Sequence, residues 1–278
     1  MNNIHLIINN ERVGIKFITF SDGAENCVLP PIRENYVVIS VPIEDCTRDM
    51  MRILLVKEAL DSMRINKVSL FIPYMPNARC DRRFSEGEAF PLKVFTTLIN
   101  SCNFHEVTIL DPHSEVSVAL LDRVEVSSQK YCFNNMKTQI QKSIGTEYVV
   151  CAPDLGASKK AEEIAHMMSK PLVQASKRRD LSTGKIVGTS VTVPPELKDK
   201  QFLIVDDICD GGATFSYLAD ELHKQGVTNV SLYVTHGIFA KGLEPLRNLR
   251  KIFVGNLNER YVNIRDIQLF NERQNEPI

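Results

Sequence analysis

The stretch Phe202–Thr214, FLIVDDICDGGAT, brings together an apolar run, two adjacent carboxylates and an acidic, glycine-rich turn. Gly211 and Gly212 let backbone N–H groups come close to a phosphate, and a helix opening near Thr214 adds the positive end of its dipole. Asp206 and Asp207 would repel that phosphate, but carboxylates accept hydrogen bonds well from vicinal hydroxyls. Together they describe a cradle for a ribose phosphate, with Asp206, Asp207, Asp210, Gly211, Gly212, Ala213 and Thr214 as its expected contacts. The plainer alternative is a glycine turn with two solvated aspartates, which so restrictive a pattern disfavours more than a lone GxGxxG would.

Such a cradle needs a strand beneath it and a helix leaving it. Apolar β-rich runs alternate with stretches of helical period along the chain, the pattern of an α/β fold with mostly parallel sheets flanked by helices. Strands are predicted at Lys67–Ile72, Glu106–Leu110, Tyr148–Ala152, Leu172–Ala175, Gln201–Val205 and Asn229–Val234. Helices are predicted at Arg48–Arg64, Pro91–Cys102, Ser158–Ser169 and Thr214–Gln225, and in the first of these Met51, Leu54, Leu55, Ala59 and Met63 fall at core-face spacing. Pro73–Ala89, Asp111–Glu115, Ser176–Gly188 and Asp206–Ala213 read as loops, each after a predicted strand, where open α/β sheets gather ligands. Leu98–His113 and Leu222–His236 read alike, each running helix, turn, apolar strand and then a histidine past the strand's end. That points to a duplicated domain.

The 278 residues suit two domains, expected at 1–130 and 131–278, with roughly the last 25 residues packing back on the first. A net charge of -1 offers no global basic field, so no nucleic-acid partner is expected and any anion site is local. Seven cysteines without a C-x-x-C pair suggest neither a disulfide framework nor a zinc ribbon, and fit a reducing cytoplasm. Neither an export signal nor a membrane span is read.

The cradle segment resembles the phosphoribosyl-diphosphate motif of type I phosphoribosyltransferases and ribose-phosphate pyrophosphokinases, and other stretches are similar to the pyrophosphokinase branch. Asn77–Phe84, NARCDRRF, resembles that family's ATP loop, and Phe20–Glu25, FSDGAE, the segment through which a neighbouring subunit contacts adenine. His113 in DPHSE resembles the active-site histidine, Asp154 in APDLG a carboxylate near magnesium, and Lys177-Arg178-Arg179 the mobile catalytic loop. THGIF at Thr235–Phe239 is also similar, and the likeness runs from about residue 17 to about 245. The resemblance implies two type I phosphoribosyltransferase-like domains and transfer of the β,γ-diphosphate of ATP to the C1 hydroxyl of ribose 5-phosphate, giving PRPP and AMP. It implies ATP contacts at Phe20, Asp22, Arg79, Cys80, Asp81 and Arg82, catalytic roles for His113, Lys177 and Arg179, and Mg2+ held through His113 and Asp154. Phosphoryl transfer is mostly positioning and charge stabilisation, which suits arginine forks on phosphate oxygens. Lys177 and Arg179 would act after loop closure. His113 is either a general base or a positioning group. His5, His105, His166 and His223 read as structural, His236 stays open, and Asp81 with Arg83 has the bland reading of a surface pair. Since Phe20 in the family completes a neighbour's site, a homo-oligomer is implied, a dimer at least and up to a hexamer.

The chain departs from the family at several points. Asp210-Gly211-Gly212-Ala213-Thr214 replaces the usual Asp-Thr-Gly-Gly-Thr, losing a hydroxyl and gaining space. Cys80 stands for a glutamine, Ala24 shifts the acid of the Phe20 segment, and Val116–Leu121 replaces Gln-Ile-Gln-Gly-Phe-Phe. The C-terminus stops about a helix short, which puts phosphate and nucleotide feedback in doubt. The roomier cradle makes ADP-ribose the alternative acceptor, giving ADP-ribose pyrophosphate and AMP for NAD rebuilding. An inactive regulatory subunit is a third reading, opposed by the presence of His113, Asp154, Lys177, Arg179 and the Asp206-Asp207 pair.

Overall fold

Runs such as Tyr148–Ala152 are apolar on both faces, as strands must be when helices cover a parallel sheet on both sides. The computed structural model describes residues 4–179 and 186–273, and these fall into two units, Met1–Ser128 and Gln129–Ile278. The first unit comprises β1 (His5–Ile8), β2 (Glu11–Gly14), β3 (Lys16–Thr19), β4 (Glu25–Val28), β5 (Tyr36–Ser40), α1 (Cys46–Ser62), β6 (Lys67–Ile72), α2 (Pro91–Ser101), β7 (Val107–Leu110), α3 (Glu115–Leu120) and β8 (Val124–Ser127). Its main sheet runs β2-β1-β5-β6-β7-β8, parallel from β5 to β8, with β1 antiparallel to both neighbours. β3 and β4 form a separate hairpin. Asp45 caps α1 by accepting from the Arg48 N–H, and buried Asp49 reaches back to accept from the Glu44 and Asp45 N–H groups. Leu6, Ile39, Ile53, Leu70 and Ile109 meet in one core.

The second unit comprises α4 (Gln129–Ile144), β9 (Tyr148–Ala152), α5 (Leu155–Met168), β10 (Leu172–Arg179), β11 (Ile186–Val191), β12 (Gln201–Cys209), α6 (Ala213–Lys224), β13 (Val230–Gly237), β14 (Lys251–Leu257) and α7 (Ile264–Arg273). Its sheet runs β11-β10-β9-β12-β13-β14, parallel except for β11. One core centres on Phe202, Ile204, Leu218 and Leu232, and another on Phe133, Leu203, Val205 and Tyr233. Alternation along β12 sends neighbouring residues into different cores, which fixes its register. Each unit thus carries a mostly parallel six-stranded sheet. Among the described residues no helix is long and apolar enough to cross a membrane.

Three expectations need correction. The buried stripe of α1 is Met50, Ile53, Val56, Lys57 and Leu60, while Met51 and Met63 are exposed. Lys57 joins the stripe because Asp61, one turn on, takes its ammonium at 2.6 Å. β12 continues through Asp206 and Asp207 to Cys209, because β13 runs beside it far enough to pair Ile208 with His236 and Cys209 with Gly237. Most of the predicted loop Ser176–Gly188 is hairpin: Lys177 pairs with Thr189 and Arg178 with Gly188, and only 180–185 lie outside the described residues. The described C-terminal residues also make contacts within the second unit. Ile267 enters its core, the Asn271 side chain bonds both backbone groups of Ile252, and buried Lys251 donates to the Asn271 carbonyl.

Candidate active site

In the second unit the cradle lies where β12 gives way to α6. Asp206 Oδ1 accepts from the Asp207 N–H at 2.9 Å. Asp207 is buried, and Lys160 reaches it from α5 with Nζ 3.3 Å from Oδ2. Asp154 caps the same helix, its Oδ1 accepting from the Ala157 N–H at 3.0 Å. One short helix therefore carries two charged groups toward the ends of β9 and β12. Gly212 is the N-cap of α6 with φ of 79°, a left-handed conformation that costs glycine nothing. A Cβ there would also stand 3.0 Å from Leu246 Cδ2. Ala213 follows, exposed at the first helical position.

The turn before Gly212 is pinned to the THGIF segment. The Cys209 carbonyl accepts from the Ile238 and Phe239 N–H groups at 2.8 and 3.1 Å, and the Asp210 carbonyl from the Ala240 N–H at 3.1 Å. This gives the motif a structural role. His236 does not stand past its strand, as His113 does; it is buried inside β13 with the Asn256 side chain 3.4 Å away. Burial drives the Cys209 thiol up, reinforced by Asp206 and Asp210, so this cysteine is an apolar packing residue rather than a nucleophile.

In the first unit His113 is exposed after β7, beyond a buried Asp111 whose φ is 37°. Asp81 is mostly covered and grips Arg82, with Nε to Oδ1 at 2.9 Å and Nη2 to Oδ2 at 3.2 Å. The Arg82 guanidinium holds the Asp81 carboxyl below the usual range, and Ser114 and His113 act in the same direction, which sets the NARCDRRF loop beside the DPHSE bend. The surface pair expected between Asp81 and Arg83 is not what forms, because Arg83 turns away to donate to the Glu88 carbonyl at 2.9 Å. Arg79 and Cys80 are exposed.

Phe20 stands 52% exposed at the tip of the β3–β4 hairpin. Asp22 shapes the tip by accepting from the Ala24 N–H at 3.0 Å. The acid displaced by Ala24 is Glu25, and it is bound to Arg52 of α1, Nε to Oε2 at 2.7 Å, while the guanidinium lies 4.6 Å from the centroid of Phe17. A two-stranded hairpin alone is marginal in water, so this tether fixes where Phe20 points. Arg52 holds the Glu25 carboxyl below its usual range, so the stabilisation is complete above the ordinary glutamate pKa and lost as pH falls through the lowered value. Arg52→Met is expected to cost about 1–3 kcal/mol at neutral pH. Thermal melts should show the gap to the unaltered protein closing in acid, and a gap independent of pH would refute the pairing.

Lys177 and Arg179 belong to β10, and their side chains lie outside the described residues. For Mg2+, no three His, Cys, Asp or Glu side chains converge among the described residues. Magnesium is ordinarily held by one or two carboxylates plus substrate phosphates and water, and single oxygen donors such as Asp154 suit that mode. Two clusters are therefore brought together, Asp206, Asp207 and Asp210–Thr214 in one unit and Asp81, Arg82 and His113 in the other. Sequence reasoning missed two lysines. Lys160 was readable only as part of a polar helix face. Lys241 follows THGIF, and its Cδ and Cε lie 3.5 Å from where a Cβ on Gly211 would stand.

Residues 132–261 match the phosphoribosyl transferase domain family. The chain is 26% identical over 244 residues to a protein of Sulfurisphaera tokodaii named ribose-phosphate pyrophosphokinase, covering 85% of this chain and 81% of that one. A protein of the same name from Saccharolobus solfataricus is 25% identical over 268 residues, covering 94% and 89%. In fold the chain is similar to the crystal structure of phosphoribosylpyrophosphate synthetase from Mycobacterium smegmatis, with a TM-score of 0.70 at 20% identity over 87% and 80% of the two chains.

Proposed function

We propose that this chain, a member of the ribose-phosphate pyrophosphokinase family, transfers the β,γ-diphosphate of ATP to the C1 hydroxyl of ribose 5-phosphate, yielding PRPP and AMP. The observation that carries the reading is the cradle: two carboxylates at the end of β12, a left-handed Gly212 and the N-terminus of α6. Asp206 and Asp207 take the sugar hydroxyls, and the backbone of Asp210–Thr214 takes the 5-phosphate. Arg79 and Arg82 hold the triphosphate, Asp81 fixes the Arg82 fork, and Phe20 and Asp22 serve the adenine of a neighbouring copy. In the reaction the sugar oxygen forms a bond to the β-phosphorus, the bond between the β-phosphorus and the oxygen bridging to the α-phosphate breaks so that AMP leaves with that oxygen, and the hydroxyl proton is released to water. Mg2+, when bound, neutralises phosphate charge, and Asp154 and His113 would hold it directly or through water. The test is to offer ATP, Mg2+ and each sugar separately and measure AMP and product mass; no AMP with any sugar would overturn the reading.

ADP-ribose is the second acceptor to be offered, because Gly211 stands where the family has a threonine and leaves the cradle without that hydroxyl. Lys177 and Arg179 are proposed to stabilise charge on the transferring group. Replacing both by alanine should lower kcat about 100-fold or more, the scale of preorganised donors and arginine fingers, with an unchanged melting temperature. Retained turnover would remove them from the mechanism.

A further inference from the structure

The two carboxylates of the cradle are held in different ways. Alternation along β12 places Asp206 on the face of Phe202 and Ile204, which α6 covers, and Asp207 on the face of Leu203 and Val205, which α5 covers. Asp206 turns back on the chain, its Oδ1 accepting from the Asp207 N–H at 2.9 Å. Asp207 is 7% exposed and meets the Lys160 ammonium, 3.3 Å from its Oδ2.

The helix that carries this lysine is fixed on several sides. Ala161, Ile164 and Ala165 of α5 pack with Val150, Leu203 and Val205 in one core. In its first turns Asp154 caps the helix, and Ser158 Oγ donates to Gln174 Oε1 of β10 at 2.9 Å. Since β9 lies between β10 and β12, α5 is tied to the strands on both sides of β9, by Ser158 to one and by Lys160 to the other. The stem of Lys160 is mostly covered, so packing sets where its ammonium arrives. Charge gives that arrival a consequence. Asp206, Asp207 and Asp210 put three carboxylates around a turn that is to receive a phosphorylated sugar, and like charges at such range repel. An ammonium on the buried member of the three offsets part of that repulsion and holds the carboxylate in one orientation.

Resting on the proposed ribose-phosphate site, we infer that Lys160 is a positioning residue for the acceptor. It acts through Asp207, orienting that carboxylate toward a sugar hydroxyl, and has no part in holding ATP.

The experiment measures turnover with ribose 5-phosphate and with ADP-ribose for the unaltered protein, Lys160→Met, Lys160→Arg, Asp207→Asn and the double variant of Lys160→Met with Asp207→Asn. Lys160→Met should raise the acceptor KM about tenfold while the ATP KM stays within about twofold, and Lys160→Arg should recover most of the loss. Because the lysine acts through the aspartate, adding Lys160→Met to Asp207→Asn should change the acceptor KM by less than about twofold. A residue that only stabilised the fold would move both KM values and would not be silenced by Asp207→Asn. Lys159→Met, at the exposed neighbouring position, is the control and should leave both KM values unchanged. If Lys160→Met does not fold, Lys160→Gln, which keeps a donor for the buried carboxylate, carries the same comparison. An acceptor KM unmoved by Lys160→Met overturns the proposal while leaving the proposed function intact. So does an effect of Lys160→Met that persists undiminished beside Asp207→Asn. AMP release with neither sugar is instead the failure of the proposed function itself.

Discussion

Changing Asp206 and Asp207 together to asparagine is expected to lower kcat/KM for the sugar by about 100-fold to 10,000-fold, measured at saturating ATP. Each aspartate is proposed to accept a ribose hydroxyl, and a hydrogen bond to a charged group contributes about 1.5–3 kcal/mol, so two lost together give that range. Asparagine keeps the shape, so the loss reports charge. The single variants should differ in stability. Asp206 is partly exposed and bonded to its neighbour's backbone, so Asp206→Asn should leave the fold unaffected. Asp207 is buried against Lys160, and Asp207→Asn leaves that lysine without its carboxylate, at a cost of about 1 kcal/mol or less because Lys160 keeps some solvent. If the double variant keeps kcat/KM within tenfold of the unaltered protein, the carboxylates do not hold the sugar.

Those two residues also mark how far the sequence could be read. The run FLIV and the acidic glycine turn were legible because continuous apolar strands and glycine-opened helices have strong local signatures. The end of β12 was not. Aspartates have low strand propensity, yet pairing with Ile208–Cys209's partners in β13 carries the strand past them. The face of α1 failed for a related reason. Met50, Ile53, Val56 and Leu60 form one apolar series and Met51, Leu54, Leu55 and Met63 another, one residue out of phase, and only packing against the sheet chooses between them. Lys57 adds to the ambiguity, since a lysine on the buried stripe becomes acceptable only through Asp61.

The site residues show the same division. Asp81 and Arg82 are adjacent, but which arginine the aspartate would choose depends on Glu88 capturing Arg83. Lys160 meets Asp207 across 47 residues, and no local pattern distinguishes it from Lys159 beside it. Lys241 is placed by the hydrogen bonds between two turns that the chain order separates. Motifs located the strand ends where chemistry collects; the cations that complete those ends arrive by tertiary packing and had to be seen in the fold.

The second large effect is on stability, at Gly237. A Cβ added there would overlap the Phe239 Cε2 atom and stand 2.8 Å from Val254 Cγ1 in the neighbouring strand. Neither obstacle can give way easily. Phe239 is fully buried, its backbone is held at φ of 50°, and its N–H is committed to the Cys209 carbonyl. Val254 is fixed by the parallel pairing of β13 with β14. Overpacking of a well-packed core costs about 1–3 kcal/mol and sometimes more, and the rigid surroundings place Gly237→Ala at about 3 kcal/mol. The displaced ring should take with it the turn that pins Cys209 and Asp210, so the acceptor KM should rise along with the shift in denaturant midpoint. Gly14→Ala is the control, since nothing lies within 4 Å of its added Cβ and its φ needs no glycine; it should fall within about 0.5 kcal/mol. Phe239→Leu introduced on top of Gly237→Ala should recover part of the stability by vacating the overlap. Should Gly237→Ala lose less than about 1 kcal/mol with an unchanged acceptor KM, the THGIF turn would not be what braces the cradle.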